Sequence, residues 1–280
     1  MLTAVVSLLL LTAAPASTPL KASTPHRADT PTTIELPATA GRKLSVTVFP
    51  AAKSKGVIIF GHAMGAEPST YQALIKRWQQ AGFTIVAPLS VDSKAHPSRS
   101  KFDLKAGFGA RAEDLAITRG FVADRFPGQD VVLAGHSYGS LFALIGAGAS
   151  TPAGTLSGPP IVGVLLFSSP GAIPGIVSPG AFSQLRAPLL MITGDKDIVA
   201  PFAPDPKVHR LAFEEAPVGR NMMVTVIGGD HFLAAKPSAS AFEAVAAISI
   251  DFARSVTGDG AAAKRLGTIR AGKLFSIERR

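Results

Sequence analysis

The sequence predicts an α/β protein: a mostly parallel central sheet with an N-terminal antiparallel hairpin and helices on both faces. Three observations carry this. Runs such as Gly56-Val57-Ile58-Ile59-Phe60, Val131-Val132-Leu133-Ala134 and Ile161 to Phe167 are continuously apolar, as strands buried on both faces are. Segments with helical spacing lie between them. Two segments of alternating polarity come first, as befits a sheet edge with one wet face.

Length and composition are compatible with this architecture. At 280 residues, with 47% hydrophobic and 17% charged residues, the chain can bury one large core. It contains no cysteine, which excludes disulfides, thiolate metal sites and a cysteine nucleophile. The six histidines show neither His-x-x-x-His nor Glu-x-x-His spacing, so no metal is expected. With 7% aromatic residues and no recognised module, nucleic acid is not an expected partner. The net charge is +9, and more than half of it falls in Lys264 to Arg280. That segment reads as a solvated basic tail, with adhesion to an anionic membrane or polymer surface as the sharper alternative.

In chain order, residues 1–16 read as a signal peptide. An apolar run centred on Ala4 to Leu11 precedes Ala14-Pro15-Ala16, a small-x-small cleavage pattern, although no Lys or Arg comes before the run. The run is too short to span a bilayer, so an exported, soluble mature protein is expected. Residues 17–33, rich in Ser, Thr, Pro and Ala, read as a flexible leader. The catalytic domain is expected over 34–256 and the basic tail over 257–280.

The hairpin pairs Thr32 to Leu36 with Leu44 to Phe49. After the Gly56 to Phe60 strand, a helix is expected over Ser69 to Ala81, with Tyr71, Leu74, Ile75 and Trp78 on one face and Gly82 ending it. Phe83 to Pro88 is the next strand. Leu89 to Gly109 reads as a long loop and Ala110 to Phe126 as a helix. A strand from Val131 then enters Gly135-His136-Ser137-Tyr138-Gly139 and continues into an apolar helix. Further strands are Ile161 to Phe167, Pro188 to Thr193 and Met222 to Ile227. A short helix falls over Pro206 to Glu215, and a last helix over Ser238 to Arg254.

Ligand sites in open α/β sheets form beyond the carboxyl ends of the strands. Polar clusters follow Phe60, Ala134, Thr193 and Ile227. A serine hydroxyl needs a base within reach, and the base needs an orienting carboxylate. Ser137, Asp195 or Asp197, and His231 supply these types. The N–H of Tyr138, following Ser137 at a helix start, suits an oxyanion. His136 reads as a packing group, His62 as a brace, and Asp230 as splayed away from its neighbour His231.

Gly-x-Ser-x-Gly between strand and helix resembles the nucleophile elbow of the α/β-hydrolase superfamily. The likeness runs over about Leu44 to Val256 and is nearest the secreted dienelactone-hydrolase-like group, with its chlorophyllase-like and polyester-hydrolase-like esterases. It implies the order Ser137, acid, His231. Gly194-Asp195-Lys196-Asp197-Ile198-Val199 is similar to the family's Gly-x-x-Asp-x-Val, which implies Asp197 as the acid. His62-Ala63-Met64-Gly65 is similar to its His-Gly-x-Gly and implies Met64 N–H as the second oxyanion donor, with Ala63 in place of the first Gly. True dienelactone hydrolases use cysteine, so the resemblance implies a serine carboxylic-ester hydrolase with no cofactor. Thioester, amide or lactone hydrolysis on the same triad is the alternative within enzymes; a non-catalytic binding protein of this fold is the alternative outside them. A small-molecule or polymeric ester is the expected substrate, walled by Met64, Tyr138, Leu89 to Gly109 and Ser168 to Arg186.

Overall fold

The computed structural model describes residues 30–236 and 239–280. The expected signal peptide, 1–16, and most of the 17–33 leader lie outside the described residues. Nine strands form one sheet: β1 (Thr32–Pro37), β2 (Lys43–Phe49), β3 (Val57–Gly61), β4 (Thr84–Pro88), β5 (Val131–His136), β6 (Ile161–Phe167), β7 (Leu189–Gly194), β8 (Met222–Val226) and β9 (Phe275–Arg279). Their order is β1-β2-β4-β3-β5-β6-β7-β8-β9. From β4 to β8 the neighbours are parallel, while β1, β2 and β9 are antiparallel edges.

Side-chain polarity explains the arrangement. β1 alternates half-buried and exposed residues, whereas every residue of β5 is buried, as one-sided and two-sided coverage require. The helices are α1 (Gln72–Gln80), α2 (Leu104–Arg125), α3 (Tyr138–Gly146), α4 (Leu211–Glu215), α5 (Phe242–Val256) and α6 (Gly260–Thr268). On one face Leu133, Leu166 and Met191 meet α2, α3 and α4; on the other Ile58, Phe60 and Leu165 meet α1 and α5. Trp78 of α1 donates to Ser249 Oγ of α5 at 2.9 Å, so its indole N–H is not orphaned by burial. After β3 the chain goes to β4 on one side and β5 on the other. The loops leaving β3 and β5 therefore diverge and open a crevice.

Three boundaries differ from the sequence expectation. α2 begins at Leu104, inside the expected loop, because Asp103 caps it by accepting from Ala106 N at 2.7 Å. Its buried face carries Arg111, Asp114, Thr118 and Arg119, which hides the apolar period. The helix expected over Ser238 to Arg254 is α5, which starts at Phe242 and is followed by α6.

The largest difference is at the C-terminus, where residues 257–280 are not a tail. Asp259 caps α6, and β9 pairs with β8. Phe275 and Ile277 pack against the core, Ser276 and Glu278 alternate with them on the exposed face, and Arg279 is exposed at the strand end. This strand alternation is visible in the sequence once the charge is set aside. The cations are partly spoken for: Arg265 pairs with Asp251, and Arg279 donates to the carbonyls of Leu266 and Ile269. No described helix is long and apolar enough to cross a membrane.

Candidate active site

β5 delivers Ser137 into a sharp turn. Its backbone, at φ 53° and ψ −121°, lies outside the regions a non-glycine residue ordinarily adopts. The turn is possible because α3 crosses directly over the strand ends. A Cβ on Gly135 would overlap the Gly139 backbone, and one on Gly139 would overlap the Gly61 carbonyl. Main chain fixes the turn further: Ser137 N donates to Phe167 O at 2.9 Å, and buried Ser140 Oγ donates to Gly135 O at 2.7 Å. Tyr138 N–H opens α3, where first-turn donors have no partner inside the helix.

Asp197 follows β7 and its side chain is fully buried. Its Oδ1 accepts from His231 Nδ1 at 2.7 Å, and Oδ2 accepts from Thr193 Oγ1 at 2.8 Å. Burial alone would raise the carboxyl's pKa. Hydrogen bonds from His209 and His231 outweigh that and hold it well below the usual carboxylate range. His231 is half-buried. With its Nδ1 hydrogen on Asp197, the lone pair is on Nε2, the atom a general base uses. Lys196 N donates to Gly229 O at 3.0 Å and ties the two loops together.

The other acids lie elsewhere. Asp195 is exposed and accepts from Gly228 N at 2.7 Å. Asp230 accepts from Phe232 N and pairs with Lys236. His136 is buried behind the elbow. Its Nε2 donates to the His231 carbonyl at 2.6 Å, so its Nδ1 accepts from Tyr71 O–H at 2.7 Å. Burial, with His231 nearby, holds its pKa down at about 3, so the ring is neutral. Tyr71 Oη in turn accepts from Ala63 N at 3.2 Å. One chain of bonds thus links the loop after β3, the elbow and the His231 loop.

The loop after β3 is pinned from below. His62 is buried and neutral, its pKa pushed down to about 3 by burial and by the Arg111 charge. Its Nδ1 donates to Ala63 O at 2.8 Å and its Nε2 accepts from Ser90 N at 3.0 Å. Arg111 donates to the His62 carbonyl at 2.9 Å and grips Asp92 at 2.5 and 2.8 Å. Asp92 accepts from Gly65 N at 3.2 Å. The Ala63 and Gly65 amides are therefore engaged, while the Met64 N–H between them has no partner among the described residues.

Met64 and Tyr138 share the wall of a cleft of about 370 Å³ with Asp92, Arg99, Phe102 and Leu104. The expected second wall, Ser168 to Arg186, does not line it: Val177, Ala181, Phe182 and Leu185 of that segment are buried in the core. Tyr138 Oη is buried without a hydrogen-bond partner, and Arg111 sits 5.0 Å from the centre of its ring.

Sequence reasoning missed His209, Arg111 and Asp92. His209 lies on the helical turn Pro206–Arg210 and is buried, with Nε2 3.0 Å from Asp197 Oδ1. No motif marks it. Asp197, His209 and His231 bring potential ligand atoms within 4.8 Å of one another. As placed, both nitrogens of His209 and Nδ1 of His231 face oxygen acceptors. The three groups satisfy one another by hydrogen bonds rather than presenting lone pairs to a common point.

No family model matches the chain, and no curated protein matches it. Solved structures do. A thermostable carboxyl esterase from Bacillus coagulans aligns with TM-score 0.64 at 14% identity, over 81% of this chain and 99% of that one. A dienelactone hydrolase from Anabaena variabilis aligns with TM-score 0.60 at 18% identity, over 81% and 97%. A serine hydrolase homologue from Coxiella burnetii aligns with TM-score 0.56 at 18% identity, over 72% and 89%. At these identities the likeness is one of fold.

Proposed function

From the α/β-hydrolase fold that the chain shares with those structures, we propose a serine hydrolase that cleaves carboxylic esters through an acyl-enzyme. The observation that carries this is the His231 Nδ1 to Asp197 Oδ1 bond at 2.7 Å, on a loop that His136 ties to the strained Ser137 turn. It leaves Nε2 of His231 as the free base beside the elbow.

In the proposed reaction Ser137 Oγ attacks the ester carbonyl while His231 Nε2 takes its proton. Met64 N–H and Tyr138 N–H receive the oxyanion; one such donor contributes roughly 3 to 4 kcal/mol to the transition state. His231 returns the proton to the departing alkoxide, leaving Ser137 acylated. Water then adds, its proton passing to His231, and collapse releases the carboxylic acid as His231 returns that proton to Ser137 Oγ. Asp197 keeps its proton off throughout and fixes the imidazole tautomer.

The test is hydrolysis of p-nitrophenyl esters of graded chain length, with matched thioesters and amides, by wild type and Ser137→Ala. Esters are expected to be cleaved fastest, and Ser137→Ala to lose about six orders of magnitude in kcat. Faster cleavage of thioesters or amides overturns the ester assignment, and undiminished activity in Ser137→Ala overturns the nucleophile.

Export belongs to the same proposal and is checked by mass spectrometry of the mature N-terminus. Weak anionic-surface contact through the C-terminal cations is checked by vesicle binding of Lys264→Ala and Lys273→Ala. Truncation is unsuitable there because it would remove β9.

A further inference from the structure

The reaction just described uses His231 and leaves a second histidine at Asp197 without a task. We propose that His209 is a resident imidazolium, protonated on both nitrogens, that holds Asp197 ionised and in one orientation and so acts as a positioning residue for His231. The role at His231 rests on the serine-hydrolase proposal; the protonation state does not.

The assignment follows from which atoms face which. Nδ1 of His209 is 2.7 Å from the Ser169 carbonyl oxygen. A carbonyl only accepts, so Nδ1 carries a hydrogen. Nε2 is 3.1 Å from the Asp197 carbonyl oxygen and 3.0 Å from Asp197 Oδ1. Both are acceptors while the carboxylate is ionised, so Nε2 carries a hydrogen as well. Turning the ring over would set carbon atoms against these oxygens and lose the bonds. Either neutral tautomer would aim a lone pair at an oxygen in a place where His209 is 1% exposed and water cannot intervene. A proton moved to Asp197 Oδ1 does not rescue the neutral ring, because Nε2 would still face the Asp197 carbonyl.

The surroundings tolerate the cation. Burial works against a charged imidazole, but the hydrogen bond and charge of Asp197 outweigh it and raise the pKa of His209. The other titratable groups near it are His231, ring centres 6.0 Å apart, and His136 beyond, held neutral by burial. On its own turn Lys207 is exposed, and Arg210 is taken by Glu214 and Glu278. Asp205, which opens the turn, is exposed and accepts from Lys207 N, and Asp197 is the carboxylate that raises the pKa of the ring. Oδ1 accepts from His231 and lies 3.0 Å from His209 Nε2, Oδ2 accepts from Thr193, and the carboxylate cannot turn away from His231 without breaking its bond to buried Thr193.

The direct test is ring ¹H–¹⁵N NMR of the full chain labelled with ¹⁵N-histidine, at pH 8, where an ordinary histidine is neutral. The His209 ring, assigned through its backbone and by its loss in His209→Gln, is expected to show two protonated nitrogens. One lone-pair nitrogen at pH 8 overturns the imidazolium, whatever the protein hydrolyses. The second arm is kinetic. His209→Gln keeps one donor, and His209→Phe keeps neither. Both are expected to lower kcat with little change in KM, Phe more than Gln. The expected fall is roughly ten- to hundredfold, the scale of a charge-assisted bond to a buried carboxylate. The low-field His231 Nδ1 proton should broaden in parallel. An unchanged kcat and an unchanged His231 proton in both variants overturn the positioning role.

Discussion

The two flanks of Ser137 are held by different physics. On the β7–β8 side, Asp197 binds two histidines, and the mobile proton of the proposed chemistry lies inside that cluster. On the β3 side, a fixed ion pair between Arg111 and Asp92 clamps backbone, and the adjacent histidine is buried neutral. In the proposed reaction the first flank passes a proton, whereas the second keeps its charges fixed. A base must titrate near working pH, whereas an oxyanion donor has only to stay where it is.

Cutting the first flank should cost the most. Asp197→Asn is expected to lower kcat about 10⁴-fold, because the amide presents a donor where the imidazole tautomer needs an acceptor. Steady-state kinetics with a p-nitrophenyl ester will show it, and a loss below tenfold would deny Asp197 its role. Cutting the second flank is expected to cost less in rate and more in stability. Arg111→Leu should lower kcat about 10²- to 10³-fold by freeing the Met64 loop. It should also destabilise the fold by about 3–5 kcal/mol, since Asp92 is left without its cation. Urea unfolding is the check, and adding Asp92→Asn should recover part of the stability but not the rate.

The flanks meet through Tyr71 and His136. Tyr71→Phe removes the hydroxyl that serves both Ala63 N and His136 Nδ1. Roughly tenfold in kcat and about 1–3 kcal/mol in stability are expected to go with it. If the variant behaves as wild type, the flanks are independent.

The smallest effect is on stability against pH. The pKa of His209 is raised in the fold. Its contribution is therefore complete below the ordinary histidine value of about 6.5, and it is lost as pH rises through the raised value. Asp197 is depressed; its contribution is present above the ordinary carboxylate value and disappears only as pH falls far below it. The gap in thermal midpoint between wild type and His209→Gln should accordingly be wider at pH 6 than at pH 9. A gap independent of pH would contradict this.

The contrast also explains what could be read from the sequence. Parallel strands buried on both faces announce themselves as apolar runs, and the loops at their carboxyl ends carry short local patterns. Gly135 to Gly139, Asp195 to Asp197 and Asp230-His231 were all visible that way, and the structure brings Asp197 and His231 into contact. The supports of both flanks are contacts between distant segments: Arg111 with His62 and Asp92, His209 with Ser169 and Asp197, Tyr71 with His136. No local pattern encodes them. Arg111 and Asp114 also blurred the period of α2 by placing charge on its buried face. In β9 the cations of the last residues concealed an ordinary half-buried alternation at Phe275 and Ile277.

The most direct measurement is reaction of the folded full chain with a fluorophosphonate probe, followed by peptide mass spectrometry. If Ser137, at its strained elbow, is activated by His231 as proposed, it alone should be modified, one adduct per chain. Modification should slow sharply in Asp197→Asn and stop in Ser137→Ala. Failure of the folded wild type to label, or labelling that persists in Ser137→Ala, would contradict the central claim that Ser137 is an activated nucleophile.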